Sequence, residues 1–402
     1  MPAPFSLPDG FLADLQALRR DLHAHPEVGL QLPWTQERVL RELEGLGLDG
    51  SRLEIIRGRD LASVVGVLRG RRPGPVTLLR GDMDALPITE ATGLPFASTN
   101  GAMHACGHDL HVAGLVGAAR LLAARIDELP GTVILMFQPG EEGYDGAGRM
   151  LAEGLLDVAG ERPTSAFGIH VHADSPTGRI GVRGGALMAA YSILEVTVLG
   201  TGGHGSRPQE ARDPVPAAAE IVLALQTEVT RRFSVFDPVV VTVGELHAGS
   251  APNVIPDQAR LRAGVRTFSA EAVRRAAREL PELVRHVAAA HGLEAEVEFR
   301  EVLPATVNDD AAAEEFARVA RDLFGADRVE QLERPRTGSE DFSRVLEAVP
   351  GAYGFVGVAA DWDPEHPPAS NHSAYAMFDD EVLADQALLL ATLAWEALMS
   401  GR

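Results

Sequence analysis

Cys106 and His108 stand two apart in His104-Ala105-Cys106-Gly107-His108-Asp109, and the adjacent carboxylates Glu141 and Glu142 follow a Pro-Gly turn. Thiolate and imidazole suit zinc and other borderline-soft divalent ions, and a bent loop can aim both side chains at one ion. Cys106 alone would read as a small buried hydrophobe; its neighbours make it a thiolate ligand. Paired carboxylates permit a division of labour, one binding metal while the other takes a proton from water. The chemistry these types suit is metal-assisted hydrolysis. His170 and His172 share one strand face, so one is a ligand candidate and the other a support or exposed; the sequence leaves the choice open. Asp84 follows Asp82 at a strand end, where a carboxylate can hold the second nitrogen of a ligating imidazole. Asp82 itself reads as a turn residue, and His104 and His111 as packing or capping residues. His372, in Asn371-His372-Ser373, gains standing only if the centre needs another ligand.

Three apolar runs deliver these groups: Val76-Thr77-Leu78-Leu79-Arg80, Val133-Ile134-Leu135-Met136-Phe137 and Ala166-Phe167-Gly168-Ile169. Short apolar runs alternating with helical segments read as buried parallel strands. Ligands of such sheets collect beyond the carboxyl ends of the strands. Periodicity predicts helices over 11–25, 35–46, 110–126 and 147–156, and strands over 53–57, 62–69, 76–80, 133–138 and 166–172. The pattern then changes. Strand 193–199, helix 211–232, strands 239–246 and 258–268, helix 270–291 and strand 294–302 spell β-α-β-β-α-β, the split ferredoxin-like unit. A helix (311–324), a strand (352–357) and a helix (381–399) return to the first pattern. The expected architecture is α/β: a first domain over 1–187 and 304–402, interrupted by a small α+β domain over 188–303. The small domain carries an imidazole on a glycine-rich loop (His204), an amide on an ordered turn (Asn253) and a row of arginines at period two, Arg260, Arg262 and Arg266. Such a row is usually a solvated face, although an arginine at its end can grip a carboxylate through two parallel hydrogen bonds.

The chain has 402 residues, 46% hydrophobic and 23% charged, ordinary globular composition. That length exceeds the roughly 250–300 residues at which one core stops growing. A formal charge of −21 argues against nucleic acid as partner. Every basic residue is arginine, which excludes a Schiff-base or P-loop lysine. With no basic-then-apolar leader and one cysteine, the expectation is a cytoplasmic protein with no disulfide and no membrane partner.

At these residues the chain resembles metallopeptidase family 20, closest to its amidohydrolase branch of hippurate hydrolases, N-acyl-amino-acid amidohydrolases and auxin-conjugate hydrolases. The resemblance spans nearly the whole length and keeps motif order. It runs through Asp21-Leu22-His23-Ala24-His25-Pro26-Glu27, Arg80-Gly81-Asp82-Met83-Asp84-Ala85-Leu86-Pro87, Met103 to Asp109, Gln138-Pro139-Gly140-Glu141-Glu142-Gly143, Gly168-Ile169-His170, Ala251 to Pro256 and Gly338-Ser339-Glu340-Asp341-Phe342. It implies a two-metal catalytic domain with an inserted ferredoxin-like lid that also forms a homodimer. Cys106, His108, Glu142, His170 and His372 take the metal-ligand places, for two divalent ions such as zinc, manganese or cobalt. Glu141 takes the place of the general base, with Asp84 among the catalytic groups. Five protein ligands exceed the three usual for one catalytic zinc, and the cysteine in place of a bridging carboxylate marks the amidohydrolase branch. The implied reaction cleaves the amide of a small or aromatic N-acyl amino acid. Glu141 takes the proton of the attacking water and returns it to the leaving amine. His204, supplied in this family across the dimer, meets oxyanion charge. Asn253 and Arg266 bind the substrate carboxylate, and Gly338 and Ser339 line the pocket. Gln209 stands where the family often has a second lid histidine.

Three other readings compete. A dipeptidase or carboxypeptidase of the same fold differs only in substrate. A cysteine hydrolase built on Cys106 and His108 is disfavoured, because side chains two apart rarely align as nucleophile and base. A non-catalytic binding protein would have no need of Glu141 together with a full ligand set.

Overall fold

A computed structural model describes residues 4–360, 362–363, 365–366 and 368–401. In chain order the elements are α1 (Phe11–Ala24), α2 (Pro33–Glu44), β1 (Leu53–Arg57), β2 (Val64–Arg69), β3 (Arg72–Asp82), α3 (His108–Ala124), β4 (Pro130–Gln138), α4 (Gly146–Ala152), β5 (Ser165–Pro176), β6 (Ile180–Val182), β7 (Gly185–Met188), β8 (Ala190–Leu199), β9 (Gly203–His204), α5 (Pro214–Arg232), β10 (Val240–Ala248), β11 (Val254–Ile255), β12 (Gln258–Thr267), α6 (Ala270–Ala290), β13 (Glu294–Leu303), β14 (Thr306–Asn308), α7 (Asp310–Phe324), β15 (Val329–Gln331), α8 (Ser343–Ala348), β16 (Gly351–Ala359) and α9 (Leu383–Ser400). The chain divides into two compact units, one of 1–187, 307–334 and 344–402, the other of 188–306 and 335–343.

The first unit is built on an eight-stranded sheet ordered β1-β2-β4-β3-β5-β16-β6-β15. Its centre is parallel, with β3 between β4 and β5, and β16 beyond β5. The inner stretches of β3 and β4 are buried on both faces, which is why their sequences are continuous apolar runs rather than alternating ones. The sheet as a whole is mixed: β2 runs antiparallel to both β1 and β4, and β6 antiparallel to β16. α3 and α9 pack on each other and on this sheet. α9 is long and apolar enough to cross a membrane by length and composition, but most of it is buried inside the protein. It is a core helix, apolar over most of its surface because most of it meets protein.

This order brings the carboxyl ends of β3, β4 and β5 side by side, with Asp82 paired in register to Gln138 and Arg80 to Gly168. Neighbouring strands lie about 4.8 Å apart, so the loops after the three strands open onto one place.

The second unit is an antiparallel sheet, β10-β12-β8-β13, with α5 and α6 packed against it. β8 alternates buried and half-buried residues along its length, the period-two mark of a sheet with one covered face. Its core is separate, drawn from Leu194, Ile221, Leu261, Leu280, Val284 and their neighbours. This is the expected ferredoxin-like arrangement. A short ribbon, β9 with β11, is added to it.

Candidate metal centre

The loop into α3 sets two of the donors. Gly107 has φ 83° and caps the helix, and a Cβ there would stand 2.4 Å from Val171 Cγ2. Only glycine allows that turn against β5. The helix therefore begins at His108 rather than at residue 110, and His108 and His111 occupy its first turn. Gly140, at φ 72° and with Leu30 Cδ2 2.5 Å from a would-be Cβ, performs the same service in the turn before Glu141.

Cys106 Sγ lies at the focus. His170 Nε2 is 3.4 Å away and His372 Nε2 3.3 Å; His372 Nε2 is also 3.2 Å from Glu142 Oε1. The donor atoms fall into two groups, Cys106 with His108 and His170, and Cys106 with Glu142 and His372, each with all donors within 4.8 Å of one another. Donors sharing one ion at about 2.0–2.3 Å stand on the order of 3.4 Å apart in a tetrahedron, close to the spacings seen. Glu141, only 8% exposed, shares a third such group with His108 and Glu142.

His108 and His170 each have the second nitrogen engaged, which fixes the tautomer. His108 Nδ1 donates to Asp84 O (2.8 Å) and His170 Nδ1 to Val171 O (2.7 Å), leaving Nε2 as the lone-pair nitrogen. His108 Nε2 is buried without a hydrogen bond, with Asp82 Oδ2 at 3.2 Å. A buried imidazole nitrogen left without a hydrogen bond beside a thiol is what a divalent cation would satisfy. The electrostatics agree. Burial holds the His170 imidazole well below its usual pKa, with His111 and His172 adding to it. Hydrogen bonds to Cys106 and Glu142 push His372 up to about 10. Burial alone would depress His108, but Asp82, Asp84 and Cys106 together outweigh it and the net shift is strongly upward. The residues present fit two divalent ions.

The structure distinguishes His170 from His172. His170 reaches Cys106, whereas His172 stacks on the His170 ring at 5.0 Å and packs edge-on to Phe355 at 4.7 Å. It corrects two readings of the aspartates. The Asp84 carboxylate is 3.6 Å from His108 Nδ1; it instead accepts from Glu141 N (2.9 Å) and Glu142 N (3.0 Å), and its backbone carbonyl holds the imidazole. Asp84 thus couples the His108 ring to the paired glutamates through two different acceptors. Asp82 is no turn residue. It is fully buried at the end of β3, 2.9 Å from Arg80 Nη1 and 2.5 Å from His111 Nδ1. His111 Nε2 accepts from Val171 N at 2.9 Å, so its proton sits on Nδ1 and faces Asp82. This buried chain ties β3, α3 and β5 together behind the centre.

His372 sits in left-handed backbone, φ 70°, a conformation costing a non-glycine residue of order 1–3 kcal/mol unless its surroundings enforce it. They do: His372 N donates to Ala105 O at 2.8 Å. Asn371 completes the anchorage, donating to Cys106 O (3.2 Å) and Val171 O (3.0 Å) and accepting from Ala173 N (2.9 Å). Reading the sequence for ligands passes over Asn371; its adjacency to His372 is the only local signal. Substituting Asn371→Ala should weaken metal binding about 10–100-fold, the usual cost of losing a group that orients ligands. Competition with a fluorescent chelator measures it, and unchanged affinity would remove Asn371 from the centre.

His204, Asn253, Arg266, Gly338 and Ser339 lie in the second unit. β9 and β11 pair His204 with Val254, so His204 and Asn253 come together. Ser206 N donates to His204 Nδ1 at 3.1 Å, leaving Nε2–H as an outward donor. Arg266 is not a free solvated arginine: it donates to Thr337 O at 2.7 Å and lies over the Tyr191 ring at 5.0 Å. Ala189 N bonds Gly338 O at 2.9 Å, holding the 335–343 segment to this unit.

Residues 78–396 match the model of peptidase family M20/M25/M40. N-acetylcysteine deacetylase of Bacillus subtilis (strain 168) is 38% identical over 356 residues, covering 87% of this chain and 90% of the relative. The IAA-amino acid hydrolase ILR1-like 2 of Arabidopsis thaliana is 37% identical over 386 residues, 95% of this chain and 84% of its own. Among solved structures, the Bacillus subtilis YXEP protein, a dinuclear metal binding peptidase from the M20 family, superposes with a TM-score of 0.83 at 34% identity, covering 98% of this chain and 99% of that one. Together with a mixed α/β unit whose strand ends gather a thiol, imidazoles and carboxylates, these matches establish that the chain belongs to peptidase family M20/M25/M40 and is a metal-dependent amidohydrolase of it.

Proposed function

We propose that this enzyme hydrolyses N-acyl L-amino acids with small or aromatic acyl groups, giving a carboxylate and a free amino acid. The observation carrying it is that two donor groups share Cys106 beside Glu141. Cys106, His108 and His170 would hold one ion, and Cys106, Glu142 and His372 the other. Bound there, divalent cations such as zinc, manganese or cobalt polarise an amide carbonyl and acidify water. Glu141 takes the proton from water and delivers it to the leaving amine. Asp84 fixes Glu141 and Glu142 through their backbone N–H groups and keeps His108 in the tautomer that ligates. In the second unit, His204 offers Nε2–H to oxyanion charge, Asn253 and Arg266 bind the substrate carboxylate, and Gly338 and Ser339 line its pocket. The second unit's sheet ends on β10 and β13, edges consistent with a homodimer, which sedimentation equilibrium would read directly. A centre built on a free thiol also suits a reducing, cytoplasmic setting.

The relatives support the substrate class: one is named an N-acetylcysteine deacetylase and another an IAA-amino acid hydrolase. The test is hydrolysis of benzoyl-glycine, acetyl-methionine, acetyl-cysteine and an indoleacetyl conjugate, as purified, after chelation, and after return of zinc, manganese or cobalt. Turnover lost on chelation and restored by metal is expected. Cleavage of free-amine dipeptides alone would replace this reading with the dipeptidase one.

A further inference from the structure

The segment Asp21-Leu22-His23-Ala24-His25-Pro26-Glu27 supplies no donor to the centre, yet its polar side chains are all committed. Asp21 pairs with Arg38 at 2.8 Å. Glu27 accepts from Thr35 N and Oγ1, both at 2.9 Å, at the start of α2. His25 stacks on Trp34 at 4.2 Å. His23 differs from these in being wholly buried. Its Nδ1 is 2.8 Å from Asp109 Oδ2 and its Nε2 3.2 Å from Glu90 Oε1.

A neutral imidazole has one N–H and one lone pair. With a carboxylate on each nitrogen, a lone pair would face an anion whichever tautomer formed. Only the imidazolium satisfies both contacts. The other groups around it are consistent with a cation. Arg19 Nε pairs with Asp109 at 2.7 Å, and its Nη1 stands 3.7 Å from Asp380. Arg19 Nη2 lies 3.4 Å from His23 Nδ1, a longer contact than the one to Asp109. His104, with ring centroids 6.3 Å apart, makes no ring hydrogen bond. Phe96 closes the site edge-on at 5.5 Å. Arg19 and His23 thus balance Asp109 and Glu90.

The two carboxylates belong to the two ends of the metal loop. Asp109 directly follows His108. Glu90 also accepts from Ser98 N at 2.6 Å and Thr92 Oγ1 at 2.5 Å, ordering the chain that leads to Cys106. Asn100 Nδ2 ties the same chain to Pro26 O at 2.8 Å. We infer that His23 is a positioning residue for the metal loop: a buried imidazolium that clamps the approach to Cys106 and the start of α3 onto α1.

The titration runs in the matching direction. Burial lowers the His23 pKa, but Asp109 and Glu90 outweigh it and the net shift is upward. A group raised by folding contributes its full stabilisation below its unfolded value, roughly 6.5, and loses it as pH climbs through the folded value. The clamp is therefore closed on the acid side of the His23 titration and loosens as pH climbs through it. Glu90 is shifted down, with hydrogen bonds from His23, Thr92 and Ser98 outweighing its burial.

The test uses the full zinc-loaded chain with 15N-labelled histidine. Long-range 1H–15N spectra at pH 7.5 should show both His23 ring nitrogens protonated, the signal being assigned by its loss in His23→Gln. A neutral single-tautomer pattern at that pH overturns the inference. Zinc release to a chelator at pH 7.5 should be about 10–100-fold faster in His23→Gln than in wild type, with the ratio falling toward one as pH rises through the His23 titration. An unchanged release rate, or a ratio independent of pH, also overturns it. Should His23→Gln not fold, Glu90→Gln keeps the shape and removes one anion. It must move the His23 titration down toward neutrality, and a titration left in place counts against the clamp. Only the release measurement rests on Cys106 and His108 as ligands. A chain that binds no zinc would end the ligand reading while the spectra still judge His23.

Discussion

Substituting Glu141→Gln should lower kcat by about 10²–10⁴, the usual worth of a positioned general base, while the protein keeps its metal. The amide preserves size and can still fill the site, whose backbone N–H is held by Asp84 at 2.9 Å. It cannot take a proton. Because Glu141 belongs to a donor group with His108 and Glu142, the measurement must pair kinetics with metal analysis. Unaltered metal content with collapsed kcat assigns Glu141 to proton transfer. Collapse of both would make it a ligand, and retention of kcat within a few-fold would end the general-base reading.

The second large effect is expected at Cys106. Both donor groups include its sulfur, so Cys106→Ala should lower occupancy of both ions rather than one. Activity should fall by more than the 10–100-fold that attends loss of an orienting partner, and metal analysis should give fewer than one ion per chain. The variant is small and the site is only 7% exposed, so the fold should survive; thermal unfolding after chelation provides the control. Two ions retained by Cys106→Ala would refute the shared thiolate. Full wild-type activity after complete metal removal would instead support a cysteine nucleophile.

Whether a residue's place is legible in the sequence depends on how far along the chain its partners lie. Strand 53–57 and helix 270–290 carry their signals locally, in alternation or in an amphipathic stripe, and the structure has them at those places. The start of α5 falls at Pro214 rather than at 211 because Asp213 caps it, accepting from Val215 N, and proline occupies the first turn. β6 and β15 leave no mark in the sequence: three residues each are too few to show a period, and their pairing with each other and with β16 makes them strands. The sheet's antiparallel members are hidden for a related reason, since direction is decided by neighbours and not by composition. In the centre, residue types point to Cys106, His108, Glu142 and Glu141. The choice of His170 over His172, the buried duty of Asp82 and the bonds of Asn371 all depend on contacts made across tens to hundreds of residues. Asn371 reaches Cys106 over a separation of 265, and no local pattern encodes such a bond.

That separation has a consequence for the chain as it is made. Synthesis runs from the amino terminus, and domains generally fold as they emerge. Cys106, His108 and His170 are all available once residue 170 has left the ribosome. Cys106, Glu142 and His372 are not together until the whole second unit has been translated and β16 has joined β5, pairing Phe355 with His170. Until β16 has been made, β5 lacks the strand that pairs with it on that side of the folded sheet, and the thiol lacks the histidine that flanks it there. His170 and His372 are thus separated by some two hundred residues of synthesis, and the donors Cys106, His108 and His170 are complete before Cys106, Glu142 and His372.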